Sequence, residues 1–189
     1  MSKIVAVTPT TDYFSVEWNL GRRCNYDCMY CPTDLHDATS KPHSLSVLQS
    51  AWQNIVAQTQ HQGLKYKIVF SGGEVTANRS FLPLIEYLRS GDFNIGQLLV
   101  TTNGSASQAY YLRLAELVDS ISFSTHTEFW NESKFFDTVI AVNQVMIRPE
   151  KSVHVNIMDE PEVRHRFVEF ETVLAKHNVS HSINTIEYD

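Results

Sequence analysis

The stretch Cys24-Asn25-Tyr26-Asp27-Cys28-Met29-Tyr30-Cys31 holds all three cysteines of a 189-residue chain. Its spacing is C-x3-C-x2-C, with an aromatic residue, Tyr30, directly before the third cysteine. Three thiolates within so short a segment can converge on one metal centre and leave a four-coordinate site one ligand short. An odd cysteine count argues against a disulfide framework, and the segment Met1–Pro9 turns polar too quickly to read as a signal peptide. A structural zinc site needs a fourth protein ligand, and His36 or His43 is available to complete a Cys3His set. An iron–sulfur cluster commonly takes four cysteines. With three, one iron stays open to a ligand that is not protein, as the open position of a catalytic metal site does.

Working outward, Phe14, Val16, Trp18 and Leu20 recur at period two, so Tyr13 to Leu20 reads as a strand leading into the cysteine loop. Residues Ser46 to Gln60 read as a helix, with Leu48, Ala51, Trp52, Ile55 and Val56 on one face. The same unit then recurs. Strands are expected at Lys67–Phe70, Leu98–Thr101, Ser120–Thr125, Val153–Met158 and Ser182–Tyr188. Helices are expected after Ser80, over Ala106–Val118, over Glu132–Met146 and from Pro161 onward. Strict β/α alternation implies an α/β fold with a parallel sheet and right-handed crossovers. An eight-fold barrel takes about 250 residues, more than are present. A partial, open (β/α)6 TIM-like barrel fits the length, with a flavodoxin-like or Rossmann sheet as the alternative. One domain over residues 1–189 is expected, ending just after the sixth strand.

In such folds chemistry gathers where the strands end. Ser71-Gly72-Gly73-Glu74 follows the second strand, Thr102-Asn103-Gly104 the third, and Ser124-Thr125-His126 the fourth; Asn156 lies on the fifth, two residues after His154. Adjacent glycines let backbone approach a ligand closely, and a carboxylate beside them can accept from an ammonium group. A tight turn with a solvated Glu explains the same residues, as a turn explains Asn-Gly. Polar side chains at the end of an apolar strand need a partner, either a ligand or local backbone.

The cysteine loop with Tyr30, one β/α unit ahead of Gly-Gly-Glu, resembles the signature of the radical S-adenosylmethionine (SAM) superfamily. The resemblance implies a partial-barrel core in which Cys24, Cys28 and Cys31 hold a 4Fe–4S cluster whose fourth iron binds SAM. It implies that the backbone at Tyr30 lies near the adenine and that Gly72, Gly73 and Glu74 meet the methionyl amine. Asn103, Ser124, His126 and Asn156 are further cofactor contacts by the same likeness. One electron then splits SAM into methionine and a 5′-deoxyadenosyl radical that takes hydrogen from substrate. Val75 stands where many relatives carry proline, and Ser124-Thr125-His126 where they carry Ser-Leu-Asp or Ser-Leu-His.

With no further cysteine for a second cluster, the electron is expected from an external flavodoxin- or ferredoxin-like reductant. The short length points to a peptide or protein substrate, or to a partner chain that completes the site. A zinc-stabilised binding module and a catalytically silent cluster-bearing scaffold are the alternatives from other functional classes. A net charge of −6 gives no support to a nucleic-acid-binding face, and no apolar run reaches the roughly 20 residues that span a bilayer. A cytoplasmic location is the expectation. Arg22 and Arg23 balance the cluster or are solvated, His36, Lys41 and His43 lie in a segment that covers the site, Trp18 and Trp52 are core, and Trp130 is a candidate substrate contact.

Overall fold

The computed structural model of the chain describes residues 12–186. The cysteine loop leaves the first of six strands: β1 (Tyr13–Asn19), β2 (Lys65–Ser71), β3 (Ile95–Thr102), β4 (Ser120–Ser124), β5 (Ser152–Met158) and β6 (Ser180–Asn184). Between them run α1 (Leu45–Thr59), α2 (Phe81–Ser90), α3 (Gln108–Leu117), α4 (Glu132–Val145) and α5 (Phe167–Lys176). Small polar residues start three of the helices. Ser44, Ser107 and Asn131 accept from the backbone N–H three residues on, at Val47, Tyr110 and Lys134. The expected helix at Pro161 opens instead as a 3-10 turn, Pro161–Arg166, before α5 proper.

The strands pair in the order β1-β2-β3-β4-β5-β6, every pair parallel. Each strand therefore lies beside the next in sequence, and right-handed crossovers place all the helices on one face. Burial follows this asymmetry. Ile68 and Phe70, Leu98 and Val100, Ile121 and Phe123, and Val155 and Ile157 face the helices and are essentially inaccessible. Trp52, also fully buried, packs against Trp18, Tyr66 and Phe93.

The alternate residues form a polar inner face, where an ordinary parallel sheet would be covered by a second helix layer. Ser152 Oγ donates to Ser120 Oγ at 3.0 Å, and Asn156 Nδ2 donates to Ser122 Oγ at 2.9 Å. His154 bonds Ser180 and Ser182 through its two ring nitrogens, at 2.9 and 3.0 Å. The sheet is unclosed, with β1 and β6 as its edges, and is the open partial barrel that the sequence pattern implies. Among the described residues no helix is long and apolar enough to cross a membrane.

The two faces of β4 should respond differently to truncation. Phe123→Ala is expected to cost about 3–5 kcal/mol, and Ser120→Ala to stay within about 0.5 kcal/mol, in urea unfolding of each variant.

Candidate active site

The loop after β1 is closed at its base before its cysteines begin. Cys24 N–H donates to Asp37 O and Asp37 N–H to Arg22 O, both at 2.9 Å. The Asp37 carboxylate accepts from Ser40 and Thr39, which hold its pKa well below the usual range. Inside the loop, Cys31 N–H donates to Cys28 O at 3.0 Å. His36 is buried beneath it, with Nδ1 3.1 Å from Pro32 O and Nε2 2.9 Å from Asp27 Oδ1.

The loop after β2 lies directly against this one. Gly73 N–H donates to Gly21 O and Glu74 N–H to Arg23 O, each at 2.8 Å. A Cβ on Gly73 would sit 2.4 Å from Arg23 O, and one on Gly72, where φ is +137°, 2.7 Å from Gly21 O. The paired glycines thus serve loop-on-loop packing as well as lining the cavity. Glu74 follows, and its carboxylate is buried. Oε1 accepts from Thr76 N (2.9 Å), Thr76 Oγ1 (2.6 Å) and Thr102 Oγ1 (2.7 Å), while Oε2 accepts from Asn103 N (2.7 Å). Among the described residues no cationic side chain pairs with it. Burial pushes its pKa up despite those bonds. Asn103 in turn donates through Nδ2 to Asn25 Oδ1 at 3.1 Å, tying the end of β3 to the cysteine loop.

The third wall is the loop after β4. Thr125 N–H donates to Asn156 O, Met158 N–H to Thr125 Oγ1, and Thr127 N–H to the buried Glu160, each at 2.9 Å. So held, His126 stacks on Tyr30 with ring centroids 5.9 Å apart and hydrogen-bonds its hydroxyl; its Nδ1 lies 3.6 Å from Cys28 Sγ. Burial pushes His126 down to about 4, so the imidazole is neutral at pH 7. Phe129 stacks on Tyr26, and the Glu128 carboxylate accepts from Met29 N–H at 3.3 Å. Burial raises the pKa of all three thiols, that of Cys28 to about 12.

These walls enclose a cavity of about 360 Å³. Of the residues singled out in the sequence, Cys24, Cys28, Cys31, Tyr30, Gly72, Gly73, Glu74, Asn103, Ser124 and His126 line it. Asn156 does not; it stands on the inner sheet face, its Nδ2 3.4 Å from Ser124 Oγ. Trp130 packs among Phe135, Phe136 and Phe170, away from this cavity. Tyr26, Leu35, Thr101 and Met158 line it without having been anticipated. Met158 shares the parity of Asn156 along β5, a signal that was readable.

Among the described residues no three His, Cys, Asp or Glu side chains converge as a single ion requires. Zn–S bonds of about 2.3 Å would hold the thiolates within roughly 4 Å of one another. His36, the nearer candidate for a fourth zinc ligand, has both nitrogens engaged, and His43 is exposed.

An unclosed six-stranded parallel sheet with three thiols at the end of its first strand defines a partial-barrel protein of the thiolate-ligated cofactor class. Residues 18–129, more than half of the chain, match the family described as the Radical SAM superfamily, and the chain belongs to it. It is 24% identical over 184 residues to GTP 3′,8-cyclase of Pasteurella multocida (strain Pm70), covering 83% of this chain and 53% of that one. Among solved structures it resembles histidine-tagged anSMEcpe with bound AdoMet, with a TM-score of 0.66 and 14% identity, covering 93% of this chain and 50% of that one. The chain spans about half the length of each. The cofactors of the family are a 4Fe–4S cluster and SAM, and the donor set suits them: three soft thiols for a cluster and a buried, cation-free carboxylate at the cavity wall.

Two outcomes are expected here. Gly73→Ala has no room to relax and should destabilise by about 1–3 kcal/mol in urea unfolding, as overpacking does. Glu74 has a folded pKa above its ordinary 4.5, so above that pH the unfolded chain releases a proton that the folded chain retains. Its contribution to stability therefore falls as pH rises. The stability advantage of wild type over Glu74→Gln should shrink as pH is raised above the ordinary 4.5 in urea titrations.

Proposed function

We propose that the chain is a radical SAM enzyme in which Cys24, Cys28 and Cys31 hold the 4Fe–4S cluster and SAM lies in the adjoining cavity, its methionyl ammonium toward Glu74. The observation that carries this reading is the Glu74 carboxylate, buried at the cavity wall with four neutral donors and, among the described residues, no cation. Oε2 accepts from Asn103 N–H alone, so acceptor capacity remains on it. An ammonium group supplies both the hydrogen bond and the positive charge that such a site lacks.

The other residues take roles that follow from where they stand. Thr76, Thr102 and Asn103 fix the carboxylate, so its orientation does not depend on ligand. Tyr30 and neutral His126 form a flat wall suited to a purine, and Ser124 adds a hydroxyl beside them. Asn156 positions Ser124 from below rather than meeting the ligand directly. When bound, the cluster and SAM supply a 5′-deoxyadenosyl radical that removes a hydrogen atom from substrate. The open inner face of the sheet, with Ser120, Ser122, Ser152, His154 and Ser182, offers a polar floor for a peptide or protein substrate or a partner chain. The electron comes from a flavodoxin- or ferredoxin-like donor.

The test is anaerobic reconstitution with iron and sulfide, followed by dithionite and SAM, with 5′-deoxyadenosine measured by chromatography. Wild type should form it and Cys28→Ala should not. Glu74→Gln should weaken SAM binding in equilibrium dialysis by about 10- to 150-fold, the equivalent of one charge-assisted hydrogen bond. Unchanged SAM affinity in Glu74→Gln, or tightly held zinc in place of iron, would overturn the reading.

A further inference from the structure

Behind Glu74 lies a tyrosine that does not line the ligand cavity. Tyr111, near the start of α3, is fully buried. Its ring meets Phe123 edge-on, with centroids 5.0 Å apart, and Tyr110 at 5.9 Å. Phenylalanine would serve that packing equally well. What the hydroxyl adds is a contact of 2.8 Å with Thr102 Oγ1. Thr76, whose hydroxyl also donates to Glu74, lies beside the same phenol. The next residue back, Tyr110, is the contrast: its hydroxyl is also buried, but has no partner among the described residues.

The direction of each bond follows from counting. A threonine hydroxyl has one proton and two lone pairs. Thr102 Oγ1 is 2.7 Å from Glu74 Oε1, and a carboxylate only accepts, so the proton goes there. Gly104 N–H donates to the same threonine oxygen at 3.3 Å, and the Tyr111 phenol takes its other lone pair at 2.8 Å. With both lone pairs filled by donors, the Thr102 proton has one place to go. Without the phenol, one lone pair faces a space closed to bulk solvent, and the hydroxyl is free to swing its proton off Oε1. Bonds in such a chain also reinforce one another, because a hydroxyl that accepts becomes a better donor.

We propose that Tyr111 is a positioning residue for the ammonium group of SAM: its phenol proton locks the Thr102 hydroxyl onto Glu74 Oε1 and so keeps Oε2 aimed at the ligand. The inference rests on the assignment of SAM to the adjoining cavity. Three donors meet at Oε1, and two of them are hydroxyls that can rotate, Thr76 N–H being the fixed one. Oε2 has a single donor, Asn103 N–H at 2.7 Å. The aim of the carboxylate therefore depends on how firmly Oε1 is pinned, and the phenol is what pins Thr102. Through this chain α3 contributes to the affinity for a ligand that Tyr111 does not reach.

The test is equilibrium dialysis of the anaerobically reconstituted chain with SAM and, separately, with 5′-methylthioadenosine, which keeps the adenosine and the sulfur but lacks the amino-acid portion. Tyr111→Phe should weaken SAM binding about three- to tenfold, the equivalent of one hydrogen bond, and leave 5′-methylthioadenosine binding unchanged. Thr102→Val should weaken SAM at least as much, and adding Tyr111→Phe to it should cost nothing more, because the phenol acts through that hydroxyl. Tyr110→Phe, which removes the hydroxyl without a partner, should leave both affinities as they are. Unaltered SAM affinity in Tyr111→Phe would overturn the positioning role. So would equal losses for the two ligands, since the hydroxyl would then only support the fold around the cavity. Wild type that takes up iron and fails to bind SAM would instead overturn the assignment of SAM to the cavity, and the inference with it.

Discussion

The arrangement at the top of the sheet depends on one buried carboxylate. Removing a charge from water costs several kcal/mol, and without a countercharge the cost must be met by hydrogen bonds. Glu74 receives four, from Thr76, Thr102 and Asn103. This explains why Thr102 is polar although β3 ends in the core, whereas Asn103 gives Glu74 its backbone N–H and turns its side chain to Asn25 and Ser105. The hydroxyl of Thr102 gives its single proton to Glu74, so in its 2.8 Å contact with Tyr111 the phenol donates. A residue of α3 is thereby linked, through one threonine, to the loop that faces the cysteines. Any group that brings positive charge to Oε2 relieves the remaining cost, so the same carboxylate both braces the loops and favours a cation.

The carboxylate reaches that position because two loops touch backbone to backbone. Side chains at positions 72 and 73 would collide with carbonyl oxygens of Gly21, Arg22 and Arg23. With glycine there, Gly73 and Glu74 continue the β1–β2 pairing beyond the strands, in hydrogen bonds to Gly21 and Arg23. The cysteine loop is thus registered against β2 by the same ladder that builds the sheet. The sequential strand order then brings the ends of β3 and β4 alongside, which is why a cavity made from four separate loops needs little further design.

Much of this was readable from local pattern. Ile121 and Phe123 alternating with Ser122 and Ser124 mark a sheet covered on one face only, and the cysteine spacing marks the first loop. The alternation could not say what the open face would hold. What was not legible rests on contacts distant in sequence. Gly72 and Gly73 were read as making room for a ligand, and the structure gives them backbone neighbours some fifty residues earlier. Tyr26 on Phe129, and Met29 on Glu128, pair residues about a hundred positions apart. Trp130, a candidate substrate contact in the sequence, packs on Phe135, Phe136 and Phe170 and lines a smaller concavity beside Tyr26 and Phe129, separate from the cysteine cavity, a placement set by partners that the sequence order does not reveal. The last strand begins at Ser180, earlier than its apolar pattern suggests, because Asn178, with φ +54°, ends α5 abruptly and turns the chain into it; the final residues of the expected strand, 187–189, lie outside the described residues.

The thiols bear on the same balance from the opposite side. Burial raises the pKa of Cys24, Cys28 and Cys31, with the Glu74 charge adding to Cys24 and the Glu128 and Glu160 charges to Cys28. Such a site disfavours free thiolates at neutral pH, and a metal centre is what deprotonates them, since binding trades the proton for the metal. Neutral His126 brings no positive charge that would stabilise a bare thiolate, and Tyr30, whose own ionisation burial suppresses, keeps its proton to donate. Negative and neutral groups thus surround both the thiols and Glu74, and among the described residues no Lys or Arg lines the cavity between them. A chain that builds such an environment at the mouth of an open barrel is arranged to be completed by a cofactor rather than to work by its own side chains alone.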